Sequence, residues 1–106
     1  MTSDGAHQVV KSLDELAYQR TRLSILALLT EAEYATFQYM KAELGLTDGN
    51  LGRHLRALEE AGYVNRRNTL GRKNWYQLTK QGGKMIDQEL VKLEDLVTRL
   101  KLARNQ

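Results

Sequence analysis

Leu46–Val64, LTDGNLGRHLRALEEAGYV, carries a helix start, an amphipathic helix and a glycine stop in nineteen residues. Thr47 is a helix-capping residue, whose hydroxyl can accept from a free amide of the first turn. Gly62 can take the left-handed conformation usual just past a helix end. At about 100° per residue, Leu55 and Leu58 fall within roughly 40° of Leu51, a narrow apolar stripe suited to docking on preceding helices. Gly49, Asn50, Arg53, Arg56 and Ala57 fall on the far side, and Gly52 and His54 flank it.

That far side is thin at its N-terminal end, so its backbone can approach a partner closely. Its chemistry fits a DNA major groove. Arg53 can bond guanine O6 and N7 in a bidentate way, and Asn50 can do the same to adenine N6 and N7. Glu59 and Glu60 sit at the C-terminal end, away from phosphates. His54 reads as a phosphate or solvent contact rather than a metal ligand.

Immediately upstream, Gln38–Leu44 reads as a brief helix with Phe37, Met40 and Leu44 inward, stopped by Gly45. Leu46 then packs inward. A short helix, a tight turn and a capped second helix match a helix-turn-helix, whose second helix reads the groove with its N-terminal residues. Amphipathy alone fits an ordinary helix pair equally well. The downstream segment tips the balance. Val64–Thr69 and Trp75–Leu78 read as strands joined by a turn at 70–74. Arg66, Arg67, Arg72, Lys73 and Asn74 make this hairpin basic and polar. Such a hairpin can lie along the DNA backbone and send an arginine into a narrow minor groove. Alternation turns Tyr76 and Leu78 to the core and leaves Trp75 partly outward, packed at the hairpin base.

Further out, residues 1–11 are polar and aperiodic and are expected to form a disordered arm. Ser12 and Glu15 have capping-box spacing. Leu13, Leu16, Leu23, Leu26 and Leu29 then recur at helical intervals, widened by Ile25 and Leu28, to an end near Thr30. A loop at 31–34 and a short edge strand at Ala35–Phe37 follow. Thr79 caps a last helix that passes through Gly82 and Gly83 to about Ala103. Within it Ile86, Leu90, Leu93, Val97 and Leu100 form a coiled-coil seam. The seam needs a partner: the first helix of the same chain, with Leu13 and Leu16, or a second copy of the chain. A twofold dimer would set two reading helices about one DNA turn apart. The expected fold is mainly α, of α+β type: helix, strand, helix, helix, strand, strand, helix. Residues 12–80 form the DNA-binding unit and 81–106 a dimerisation helix.

The whole chain, 106 residues, suits one domain. It has no cysteine, hence no disulfide or thiolate metal site, and no proline. Its net charge is +3. Residues 62–78 hold four Lys/Arg and no acid, so the basic excess concentrates in the hairpin. No apolar run suits a signal peptide or a membrane span, and a cytoplasmic protein is expected. Two histidines, scattered carboxylates and no phosphate-binding glycine motif argue against an enzyme, and imply no metal or cofactor.

LSILALL (residues 23–29), TDGNLGRHLRALEEAGYV and the later WYQLTKQG resemble the winged helix-turn-helix transcriptional regulators. The nearest likeness is to the small MarR/ArsR-like group with a stand-alone winged-helix domain, over about residues 12–100. The resemblance implies a repressor or activator, usually dimeric through its terminal helices. It would place Thr47–Ala57 in the major groove and Arg66–Asn74 in the wing. Members often carry serine where Gly52 stands, so one DNA contact is lost here. Metal-sensing relatives use cysteines that this chain lacks. The expected partners are double-stranded DNA and a second copy. The alternative is a winged-helix adaptor that binds protein rather than DNA. Operator, regulated genes, sign of regulation and any small-molecule effector are not encoded legibly.

Overall fold

The computed structural model describes residues 2–69 and 73–106, with the side chains of residue 15 and of residues 17–68 and 73–106. Seven elements follow in the order α1 (Thr2–Ala32), β1 (Ala35–Thr36), α2 (Phe37–Leu44), α3 (Asp48–Glu60), β2 (Val64–Thr69), β3 (Lys73–Leu78) and α4 (Lys80–Arg104). The expected mainly helical α+β order is the one observed.

Three threonines start three of the helices. Thr36, Thr47 and Thr79 are extended, and their side chains accept from the amides of Tyr39, Asn50 and Gly82. Each satisfies one of the orphan donors of a first turn. The α3 stop forms as its sequence demands. Gly62 has φ +82°, and the Tyr63 amide turns back to the Leu58 carbonyl at 2.9 Å. Gly45 closes α2 with φ +63°.

The first helix differs from expectation. It begins at Thr2 rather than Ser12. No proline interrupts it. Once a helix exists, each added turn gains hydrogen bonds without a new nucleation cost, so an internal capping residue does not stop it. The side chains of Leu13 and Leu16, expected in a dimer contact, lie outside the described residues.

Three antiparallel strands pair in the order β1-β3-β2. β3 starts two residues earlier than the sequence suggested: Lys73 pairs with Thr69 and Asn74 with Asn68. Pairing with β2 draws both residues out of the expected turn. Leu70, Gly71 and Arg72, the rest of that turn, lie outside the described residues. Tyr76 is buried, and Leu78 and Trp75 are half-buried.

The core joins Ile25, Leu26, Leu28 and Leu29 of α1 to Met40, to Leu51, Leu55 and Leu58 of α3, and to Val64 and Tyr76. The far side of α3 is thereby left to solvent. Among the described residues, α4 is anchored to the core at its start. The Thr79 hydroxyl donates to the Gly62 carbonyl at 2.7 Å, and its amide to the Tyr63 carbonyl at 3.0 Å. Gly82 is buried against that same carbonyl, and a Cβ there would overlap the Tyr63 oxygen.

Candidate nucleic-acid interface

Docking of the leucine stripe decides what α3 presents. Thr47, Gly49, Arg53, Arg56 and Ala57 are exposed, and Asn50 is half-buried. A Cβ at Gly49 would meet nothing within 4 Å, and one at Gly52 only Arg56 Nη1 at 3.6 Å. The surface is open there, and a serine at Gly52 would fit. Thr47 is already engaged as the cap, its Oγ1 accepting from the Asn50 amide at 3.1 Å. Asn50 Oδ1 in turn accepts from Arg53 Nη2 at 2.7 Å.

His54 corrects the sequence reading. It is buried, with only 2% exposure, and no phosphate can reach it. Its position is about 60° from Leu51 around the helix, inside the wider apolar arc that a globular helix buries. The ring packs on Tyr18 of α1, centroids 4.3 Å apart, and its Nδ1 has no hydrogen-bond partner among the described residues. Burial, and then the charges of Arg53 and Arg22, hold the imidazole below its ordinary pKa. Tyr18 and Arg22 were missed from sequence. The signal was there: Tyr18, Arg22, Ile25 and Leu29 are spaced by four, three and four residues, one helical stripe. Arg22 also lies over the Tyr63 ring, 5.9 Å from its centroid.

Pairing across β2 and β3 sorts the wing cations, because cross-strand partners share a face. Arg66 lies opposite Tyr76, on the core-side face. Its Nε meets Glu59 Oε1 of α3 at 3.4 Å, tying wing to helix. Arg67 lies opposite Trp75 on the other face and is exposed, as is Lys73. Arg72 lies outside the described residues. At the turn between α2 and α3, Lys41 bridges Asp48 at 2.8 Å, which offsets the one acid in the first turn of α3.

On α4 the expected seam divides. Ile86 packs on the core and Leu93 is half-buried, whereas Leu90, Val97 and Leu100 are exposed, with Leu96 beside them. Among the described residues no three His, Cys, Asp or Glu side chains are grouped to hold a metal ion. Among them, too, no helix is long and apolar enough to cross a membrane.

A helix-turn-helix followed by a two-stranded wing defines a winged-helix protein. The winged helix DNA-binding domain family matches residues 21–97. A solved transcriptional regulator homologue from Pyrococcus horikoshii OT3 is 26% identical, with a TM-score of 0.70 over 85% of this chain and 97% of that one. A solved possible transcriptional regulator for arsenical resistance is 30% identical, with a TM-score of 0.61 over 80% and 92%. An uncharacterized protein of Methanocaldococcus jannaschii is 58% identical over 43 residues, 41% of this chain and 47% of that protein. The match thus spans about half of that relative's length. Solved MarR- and ArsR-family regulators, at 18% and 19% identity, share the fold.

The chain belongs to the winged helix DNA-binding domain family. It carries a winged helix DNA-binding domain, the class that its sequence suggested.

Proposed function

We propose that this chain is a sequence-specific transcriptional regulator that binds double-stranded DNA as a homodimer in the cytoplasm. The observation that carries the reading is the outer face of α3. Arg53 and Arg56 stand exposed on a face with little bulk at Gly49 and Gly52, and Arg67 and Lys73 of the wing are exposed as well. Such a face admits close backbone approach and places guanidinium groups where base edges and phosphates lie. Arg53 and Asn50 serve base readout. Thr47, Gly49, Arg56 and Ala57 line the groove or its phosphates, and Arg67, Arg72, Lys73 and Asn74 meet the backbone and minor groove. Arg66 contributes mainly through its tie to Glu59.

The exposed Leu90, Val97 and Leu100 of α4 support dimerisation, since a row of aliphatics outside the core favours an apolar partner. A copy of the same helix supplies one with matching spacing.

Titration of a labelled random duplex, and of a site selected from random sequence, tests the reading. Binding to both, tighter on the selected site and weakened by salt, is expected. Failure to bind either duplex at low salt would favour a protein-binding adaptor instead.

A further inference from the structure

We propose that Asn50 is a positioning residue for Arg53, and that the two act as one guanine-reading unit rather than as separate readers of guanine and adenine. The inference rests on the DNA-binding reading above and assigns the division of labour within it.

Three residues spaced by three form a relay on the first turns of α3. Thr47 Oγ1 accepts from the Asn50 amide at 3.1 Å, and Asn50 Oδ1 accepts from Arg53 Nη2 at 2.7 Å. The first bond fixes the backbone of Asn50, and the second fixes the head of Arg53. Asn50 is half-buried and lines a recess of about 520 Å³ with Ala17, Tyr18 and Thr21 of α1, together with Arg53 and His54. Rotation of about 100° per residue puts Asn50 on the α1 side of the helix and Arg53 near the middle of its outer face.

The hydrogen-bond inventory decides the roles. Bidentate reading of adenine needs Asn Oδ1 to accept from N6 while Nδ2 donates to N7. Here Oδ1 is already committed to a cation. Arg53 loses nothing comparable. Its guanidinium has five N–H donors in a planar fork. Whichever Nη2 hydrogen goes to Asn50, one two-pronged edge that includes Nη2 remains for guanine O6 and N7. The bond also orders a rotamer-rich side chain before DNA arrives, which removes part of the ordering cost of binding.

The test is competition binding of the full chain on its selected duplex, with every base pair substituted in turn, for wild type, Asn50→Ala, Asn50→Asp, Arg53→Ala and the Asn50→Ala/Arg53→Ala double variant. Asn50→Ala and Arg53→Ala are expected to lose discrimination at the same G·C pair, by about 5- to 150-fold for Arg53→Ala. The double variant should fall within about twofold of Arg53→Ala, because one unit is lost once. Asn50→Asp keeps the acceptor for Nη2 and suits the first helical turn, so it should retain the guanine preference while its negative charge weakens all duplexes alike. The proposal is overturned if Asn50→Ala relaxes a different, A·T pair and leaves the guanine preference intact. Losses that multiply in the double variant, or an Asn50→Asp protein that behaves as Asn50→Ala, would overturn it too. Those results leave DNA binding standing. Absence of binding by the wild-type chain at low salt would overturn both.

Discussion

His54 shows how one buried side chain links the reading helix to the long helix behind it. Its ring is enclosed and tilted against Tyr18, with Nδ1 unpartnered among the described residues and with the charges of Arg53 and Arg22 near it. Burial first, and then the charges of Arg53 and Arg22, disfavour the imidazolium. The folded-state pKa is therefore lowered, while the unfolded chain binds a proton near the ordinary value of roughly 6.5. Above that pH both states are neutral and the site costs nothing. As pH falls below it, the unfolded state takes up the proton first, and stability drops until the folded pKa is passed. A thermal midpoint that falls from pH 7 toward pH 5 is expected. His54→Phe, which keeps a ring against Tyr18, should flatten that fall. An unchanged pH profile in His54→Phe would count against the buried neutral imidazole.

The elements were legible where local chemistry decides them and less so where packing does. Thr47, Thr79, Gly45 and Gly62 marked their helix ends in sequence because capping and left-handed turns are local requirements. The α3 leucines gave its inner face for the same reason. His54 was misplaced because α3 buries a wider arc than its leucines define, a width set by α1 and not by α3. Arg66 looked like a free wing cation, and only the tertiary approach of Glu59 engages it. The start of α1 was missed because a capping signal permits a start without enforcing one.

Gly82 is a second case of the same kind. Sequence showed a glycine pair that a helix must tolerate. Packing shows why one of them is needed: the first turn of α4 crosses the Tyr63 carbonyl with no room for a Cβ, whereas Gly83 meets nothing within 4 Å. Gly82→Ala must push α4 off the α3–β2 turn, against a helix-propensity gain of about 1 kcal/mol. A net loss of about 1–3 kcal/mol is expected from overpacking against backbone, read as a lower urea midpoint. Gly83→Ala should be neutral or stabilising. A stabilised Gly82→Ala would contradict this packing.

The molecule is elongated, 56 × 32 × 23 Å, with two long helices, α1 of 31 residues and α4 of 25, of which the beginning of α4 joins the core. Beyond that anchor Leu96, Val97, Leu100 and Leu102 are about half exposed or more. The proposed dimer would cover the seam face formed by Leu90, Leu93, Val97 and Leu100. Leu100→Glu should leave the fold intact, since Leu100 is 56% exposed, and should convert a dimer to a monomer in sedimentation equilibrium. Wild-type chain that sediments as a monomer at micromolar concentration would remove the dimer from the proposal. The spacing of the seam was legible in the sequence but not its division, because Ile86 packs on the chain's own core and that coverage is tertiary.

Salt-dependent titration of the intact chain against selected and random duplexes bears on the whole proposal at once. Wild type should bind both, with log affinity falling against log salt by about 0.9 for each phosphate neutralised. Arg53→Ala should lose about 1–3 kcal/mol on the selected site and little on random DNA. Arg67→Ala should weaken both alike and flatten the salt slope by about one phosphate. Equal losses on both duplexes for both variants, or no binding by wild type at low salt, would show that α3 does not read DNA.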